Sequence, residues 1–215
     1  MLPNLLLIPT EPEHALVKER AQILVDKTFA IVAICGFGPV LPAATVTEKI
    51  HQYRPRQVIL CGIAGAYDGA SLDVGAAYEF SQVKIDGIGV GQGTEFKTPS
   101  QMGWEQFAGD TDRPAIGDQI DISSMEDRSL LTVCTAASDR AQANDRYQRY
   151  ETAAEDMEAF AVAAACRLQN VPLRVVRGIS NIAGDRDHSQ WKIADAMNSA
   201  MDIVERIVME AAADE

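Results

Sequence analysis

The chain has 215 residues, 47% of them hydrophobic, which is enough to bury a sizeable core, and one domain over residues 1–215 is expected. Its formal charge is -12, from 31 acidic against 19 basic residues, and no basic run is able to neutralise a row of phosphates, which argues against a nucleic-acid partner. No apolar stretch approaches the roughly 20 residues that span a bilayer, so no membrane partner is expected and the chain reads as soluble.

Short apolar runs alternate with longer helical patterns, which predicts an α/β fold with a mostly parallel sheet and helices on its faces. The run Leu5-Leu6-Leu7-Ile8 has no Lys or Arg before it and Pro9 after it, so it reads as a strand and not a signal peptide. A helix is expected over about 11–27, a strand over 29–35, and a helix from Gly36-Phe37-Gly38-Pro39 to near Tyr53. A strand at 58–61 leads into the glycine-rich segment 62–69, read as a loop beyond a strand's carboxyl end, where open α/β sheets bind ligands. Residues 76–83 read as one strand, and the Gly-, Asp- and Pro-rich region 84–121 as a long excursion packed against the sheet. Strands at 131–135 and 173–179 and a polar helix at 138–150 follow. The helix 159–168 is apolar nearly all round and so should be central, whereas 191–209 carries one apolar stripe, Ile193, Ala196, Met197, Ala200, Ile203 and Val204, as an amphipathic surface helix.

The four cysteines, Cys35, Cys61, Cys134 and Cys166, show no CxxC spacing and read as buried thiols of a reducing cytosol. His14, His51 and His188 lack the i, i+4 spacing of a zinc helix, so no metal is expected. Gly36-x-Gly38-x-x-Leu41 lacks the third glycine of the dinucleotide fingerprint, and neither a P-loop nor a nucleophile elbow occurs.

Polar residues where strands give way to helices are the candidates for chemistry. Glu13 in Thr10-Glu11-Pro12-Glu13 suits the N3 position of a capping box with Thr10 as N-cap, or a general base beside a helix N-terminus. In Glu155-Asp156-Met157-Glu158, the first two acids fit an ordinary helix-dipole role, but Glu158 abuts an Ala-rich buried run where a carboxylate needs partners. Arg177 lies in an apolar strand and calls for a buried carboxylate or a ligand. Asn181, just after that strand, reads locally as a turn or cap residue.

Taken in order, Thr10-x-x-Glu13, Gly36-Phe37-Gly38-Pro39-Val40, Gly62-Ile63-Ala64-Gly65-Ala66, Leu72-Asp73-Val74-Gly75, Asp156-Met157-Glu158-Ala159 and Arg177-Gly178-Ile179-Ser180-Asn181 resemble one family. It is that of the purine nucleosidases related to methylthioadenosine/S-adenosylhomocysteine nucleosidase, within the nucleoside phosphorylases. Asn181, with Gly184-Asp185-Arg186-Asp187 and Trp191, leans towards its futalosine hydrolase branch. The resemblance implies a three-layer α/β/α fold around a mostly parallel mixed sheet, in a cytoplasmic homo-oligomer. It also implies hydrolysis, without a cofactor, of the N-glycosidic bond of a 6-oxopurine nucleoside, futalosine in menaquinone synthesis. Glu13 would be the base that activates water, Glu158 would bind the ribose hydroxyls with Met157 packed on the sugar, and Arg177 would hold the water or Glu158. Asn181 would donate to the purine, with Ile63, Ala64, Gly65 and Ser180 along the nucleoside. The family's stacking phenylalanine has no counterpart in Thr135-Ala136-Ala137-Ser138-Asp139, and Phe160, Tyr67 or Trp191 would compensate. The 84–121 region is the candidate for reading the 5'-substituent. Three alternatives stand beside this reading: a methylthioadenosine nucleosidase, which Asn181 opposes, a phosphorylase, opposed by the lack of Arg or Lys in the loops at Gly36 and Gly62, and a silent nucleoside-binding module.

Overall fold

The structure is a computed structural model that describes residues 2–123 and 128–213. In chain order its first half holds β1 (Asn4–Ile8), α1 (Glu11–Asp26), β2 (Ala30–Ile34), α2 (Val40–Tyr53), β3 (Gln57–Ala66), β4 (Ala77–Phe80) and β5 (Gln82–Ile85). The second half holds β6 (Gln119–Asp121), β7 (Ser129–Thr132), α3 (Arg140–Tyr150), β8 (Ala154–Asp156), α4 (Ala159–Leu168), β9 (Leu173–Ile182) and α5 (Ile193–Ala213).

The strands form one mixed sheet in the order β2-β1-β3-β8-β7-β5-β6, with β9 paired to β3 and β4 paired to β9. The pairs β1–β2, β1–β3, β3–β9, β5–β7 and β7–β8 are parallel, and β3–β8, β4–β9 and β5–β6 are antiparallel. Alternation along a strand sends successive side chains to opposite faces. Leu5 and Leu7 of β1 accordingly join a core with Val46 and Ile50 of α2 and the apolar side of α4. Leu6 and Ile8 join a second core with Val17 and Leu24 of α1 and Met197, Met201 and Val204 of α5. Helices thus cover both faces in three layers, as expected, and the short apolar runs are continuous because inner parallel strands are buried on both sides. A third cluster ties Ala143 and Tyr150 of α3 to Tyr67, Leu131 and Val133.

Five expectations are corrected. The segment 62–66 is not loop: β3 continues to Ala66 because β9 pairs with it as far as Ile182, with one register shift between Ala64 and Gly65. Residues 76–83 form two strands, since Ser81 separates a strand that joins β9 from one that joins β7. Glu155 is not at a helix start but in β8, a strand of three residues too short to show a period. Asn181 is within β9, not in a turn. Of the cysteines, Cys35, Cys61 and Cys166 are buried, and burial pushes each thiol up to about 12, but Cys134 is exposed. Among the described residues no helix is long and apolar enough to cross a membrane.

Candidate active site

The carboxyl ends of β1, β3 and β9 open into one cavity of about 700 Å³, within the size range of small-molecule sites. Pro9, Thr10 and Glu13 border it from the β1–α1 junction, and Ile63, Ala64 and Gly65 from β3. The run from Glu155 to Glu158 borders it from β8, and Ser180 and Asn181 from β9. The structure therefore gathers Glu13, Ile63, Ala64, Gly65, Met157, Glu158, Ser180 and Asn181 around one space, with Arg177 fully buried behind them.

Glu13 combines parts of both local readings. Thr10 caps α1, its hydroxyl oxygen accepting from the Glu13 N–H at 3.4 Å. The Glu13 carboxylate reaches the Thr10 hydroxyl and not the Thr10 backbone N–H, which a full capping box requires. Its Oε2 accepts from the Thr10 hydroxyl at 2.5 Å and its Oε1 from the Ile63 N–H at 3.0 Å, which aims the group across the cavity floor at β3. Only 7% of Glu13 is exposed.

Glu158 is the N-cap residue of α4, yet its side chain makes no cap bond. Asp156 caps the helix instead, Oδ2 accepting from the Ala159 N–H at 2.9 Å. This frees the Glu158 carboxylate, whose Oε1 accepts from Gly38 N–H at 3.2 Å and Oε2 from Arg177 Nη2 at 3.2 Å. Burial pushes its pKa up to about 7, against the opposing pull of Arg177.

The buried carboxylate that Arg177 demands is mainly Asp156, whose Oδ2 accepts from Nε at 3.1 Å and from Nη2 at 2.5 Å. Burial works against the charge of the guanidinium, but Asp156 and Glu158 outweigh it and raise its pKa. Removing one member of such a buried ion pair typically costs about 3–5 kcal/mol. Arg177 Nη1 has no hydrogen-bond partner among the described residues. It lies 2.1 Å from where a Gly62 Cβ would stand, and Glu13 Oε1 lies 3.0 Å from the same point. Glycine at 62 is what lets the guanidinium and the Glu13 carboxylate approach the same stretch of β3.

Asn181 is held by its neighbours: Oδ1 accepts from the Ser180 hydroxyl at 2.8 Å and Nδ2 donates to the Ile182 carbonyl at 2.9 Å. One amide N–H is left for a ligand, one fewer than the two the composition of the side chain offers. Of the aromatic residues considered for stacking, Phe160 and Tyr67 are buried in the cores, and Trp191 borders the cavity together with Phe37 and His188. The His188 and Trp191 rings lie 4.3 Å apart. No residue from 84 to 121 borders the cavity, because that segment returns through β6 to the sheet edge at β5.

Sequence reasoning missed Asp156, Glu155 and His188. A buried arginine signals that a carboxylate exists, but not which of several acids it is. Among the described residues no cluster of three or more His, Cys, Asp or Glu is arranged to hold a metal ion.

The fold is nucleoside phosphorylase-like. Residues 121–213 match the family model described as phosphorylase superfamily. The chain is also similar to two kinds of nucleosidase. It is 25% identical to the futalosine hydrolase of Streptomyces coelicolor, over 80% of this chain and 75% of that protein. It is 28% identical to the 5'-methylthioadenosine/S-adenosylhomocysteine nucleosidase of Chromohalobacter salexigens, over 72% and 67%. Among solved structures, the native futalosine hydrolase of Helicobacter pylori superposes with a TM-score of 0.75 at 15% identity, covering 97% of each chain. The Helicobacter pylori 5'-methylthioadenosine/S-adenosylhomocysteine nucleosidase with butyl-thio-DADMe-Immucillin-A gives 0.75 at 16% identity, covering 98% of this chain and 99% of that one. At such identities these two structures bear on the fold alone.

Proposed function

We propose that this chain hydrolyses the N-glycosidic bond of a purine nucleoside, with a 6-oxopurine as the base and futalosine as the nucleoside that the Streptomyces relative favours. The observation that carries the reading is a pair of buried carboxylates on one cavity, Glu13 and Glu158, each held by backbone N–H groups with an oxygen lone pair to spare. Cleavage of the bond develops positive charge on the sugar and negative charge on the purine. Glu13 takes a proton from the attacking water and attracts the cationic sugar. Glu158 accepts from the ribose hydroxyls, with Met157 against the sugar. Arg177 is a positioning residue that holds Glu158 and, through its free Nη1, faces the Glu13 side of the floor. Ile63, Ala64 and Gly65 follow the nucleoside, Ser180 orients Asn181, and the remaining N–H of Asn181 donates to the purine edge at N7 and O6. No cofactor enters these steps.

The second reading, a methylthioadenosine/S-adenosylhomocysteine nucleosidase, is favoured by the Chromohalobacter relative. The two differ in the base released. Incubation with matched inosine- and adenosine-type nucleosides, futalosine included, is expected to release hypoxanthine faster than adenine. Faster adenine release overturns the 6-oxopurine assignment, and a need for added phosphate with formation of a sugar 1-phosphate overturns hydrolysis. Asn181→Asp is expected to lower hypoxanthine release and raise the relative release of adenine, because a carboxylate repels O6 where an amide donates. The mismatch is worth about 1–3 kcal/mol, a factor of roughly ten to over a hundred.

A further inference from the structure

We propose that Glu155 is a second base-recognition residue, whose carboxylate accepts a hydrogen bond from the N1–H of a 6-oxopurine; this rests on the nucleosidase reading above. Glu155 borders the same cavity and is 5% exposed. Three donors fix it: the Ala137 N–H to Oε1 at 2.7 Å, and the Tyr67 hydroxyl and Arg146 Nη1 to Oε2 at 2.9 and 3.0 Å. A carboxylate has about four acceptor sites, so one on Oε1 remains. Arg146 is anchored in turn by Asp86, which accepts from its Nε at 3.1 Å and from the Tyr150 hydroxyl at 2.6 Å. The group is thus an acceptor held rigidly at the cavity wall, with its counter-ion on the far side.

Strand register sets it against Asn181. Glu155 of β8 pairs with Gly65 of β3, and Gly65 pairs with Asn181 of β9. Paired residues share a face, so the two side chains flank a position with no side chain, their backbones two strand spacings or roughly 10 Å apart. Hypoxanthine presents a donor, N1–H, on its Watson–Crick edge and acceptors, O6 and N7, along its Hoogsteen edge. An acceptor-only group at one end and an N–H at the other match that pattern. Adenine has an unprotonated N1, which would face the carboxylate lone pair. Asn181 has a single N–H left for the base, so a second contact at N1 supplies discrimination that it lacks alone.

Calorimetric titration of the whole chain with hypoxanthine, 1-methylhypoxanthine and adenine tests the assignment without needing the correct 5'-substituent. The unmodified protein is expected to bind hypoxanthine about ten-fold to a hundred-fold more tightly than either of the others. In Glu155→Gln the two donors on Oε2, from Tyr67 and Arg146, keep the amide oxygen there, which puts the NH2 in the Oε1 position towards the base, where it suits the adenine N1. Hypoxanthine affinity should fall and adenine affinity should rise, a crossing that a purely structural role of the Arg146 pair does not produce. Equal loss for all three bases overturns the inference, and so does equal binding of hypoxanthine and 1-methylhypoxanthine to the unmodified protein, which needs no folded variant. If none of the bases binds and no nucleoside is cleaved, the nucleosidase reading fails and the inference falls with it. Cleavage with equal base affinities overturns the inference alone.

Discussion

Glu13 has a structural duty and, in the proposed reaction, a chemical one, and the two separate on substitution. Thr10 caps α1 without the Glu13 carboxylate, so Glu13→Gln leaves the cap intact, and Gln can still accept from the Ile63 N–H. It cannot take a proton from water. Turnover is expected to fall by about 10²–10⁴-fold with little change in thermal stability or nucleoside affinity. A native rate in the variant would reduce Glu13 to a packing residue. Burial raises the pKa of Glu158 to about 7, so its ionised fraction grows through that pH. In the proposed complex the ionised form would accept from two ribose hydroxyls, whereas the acid form would have to donate one bond of its own. Nucleoside affinity should therefore rise between pH 6 and pH 8 and level off beyond, and Glu158→Gln should weaken binding and remove this limb of the profile. Binding measured across that range checks both, and an unchanged limb in the variant assigns the titration to another group.

At the scale of elements, β9 and α5 decide where the cavity ends. Gly178 lies between Arg177 and the Ser180-Asn181 pair, and a Cβ there would stand 2.1 Å from the Ala196 carbonyl oxygen in α5. That neighbour is backbone and cannot rotate away, so the helix must shift. Gly178→Ala is expected to cost about 1–3 kcal/mol or more, as overpacking does. It should also impair turnover, since Ile193 and Ala194 of the same helix border the cavity. Urea unfolding with the midpoint reduced at unchanged slope is the expected result. Unaltered stability would show that α5 adjusts freely. The signal for Gly178 was present in the motif Arg177-Gly178-Ile179-Ser180-Asn181, but its reason, the close approach of Ala196 in α5, was not.

For the whole molecule, the cavity joins residues from both ends of the chain, from Pro9 to Ala194, so occupancy should stabilise the folded state as a unit. A base or nucleoside at about 100 times its Kd should add about 2.7 kcal/mol by mass action. A rise in the melting temperature with hypoxanthine checks this, and a shift with adenine alone would favour the second reading. Much of this arrangement was legible beforehand. Buried strands and helices declare themselves by the period of their apolar residues, so β1, α1, α4 and α5 were read within a few residues. The candidate residues were legible as types in an order, since a carboxylate before an Ala-rich helix and an arginine in a strand are each costly without partners. Which partners they take is a property of pairing across strands far apart in the chain. Only the tertiary structure decided that Asp156 joins Glu158 in neutralising Arg177, that β3 runs on to Ala66, and that Glu155 borders the cavity in register with Asn181. Three-residue β8 carries no period of its own, and its register is set by β3 and β7, about ninety and twenty-five residues away along the chain.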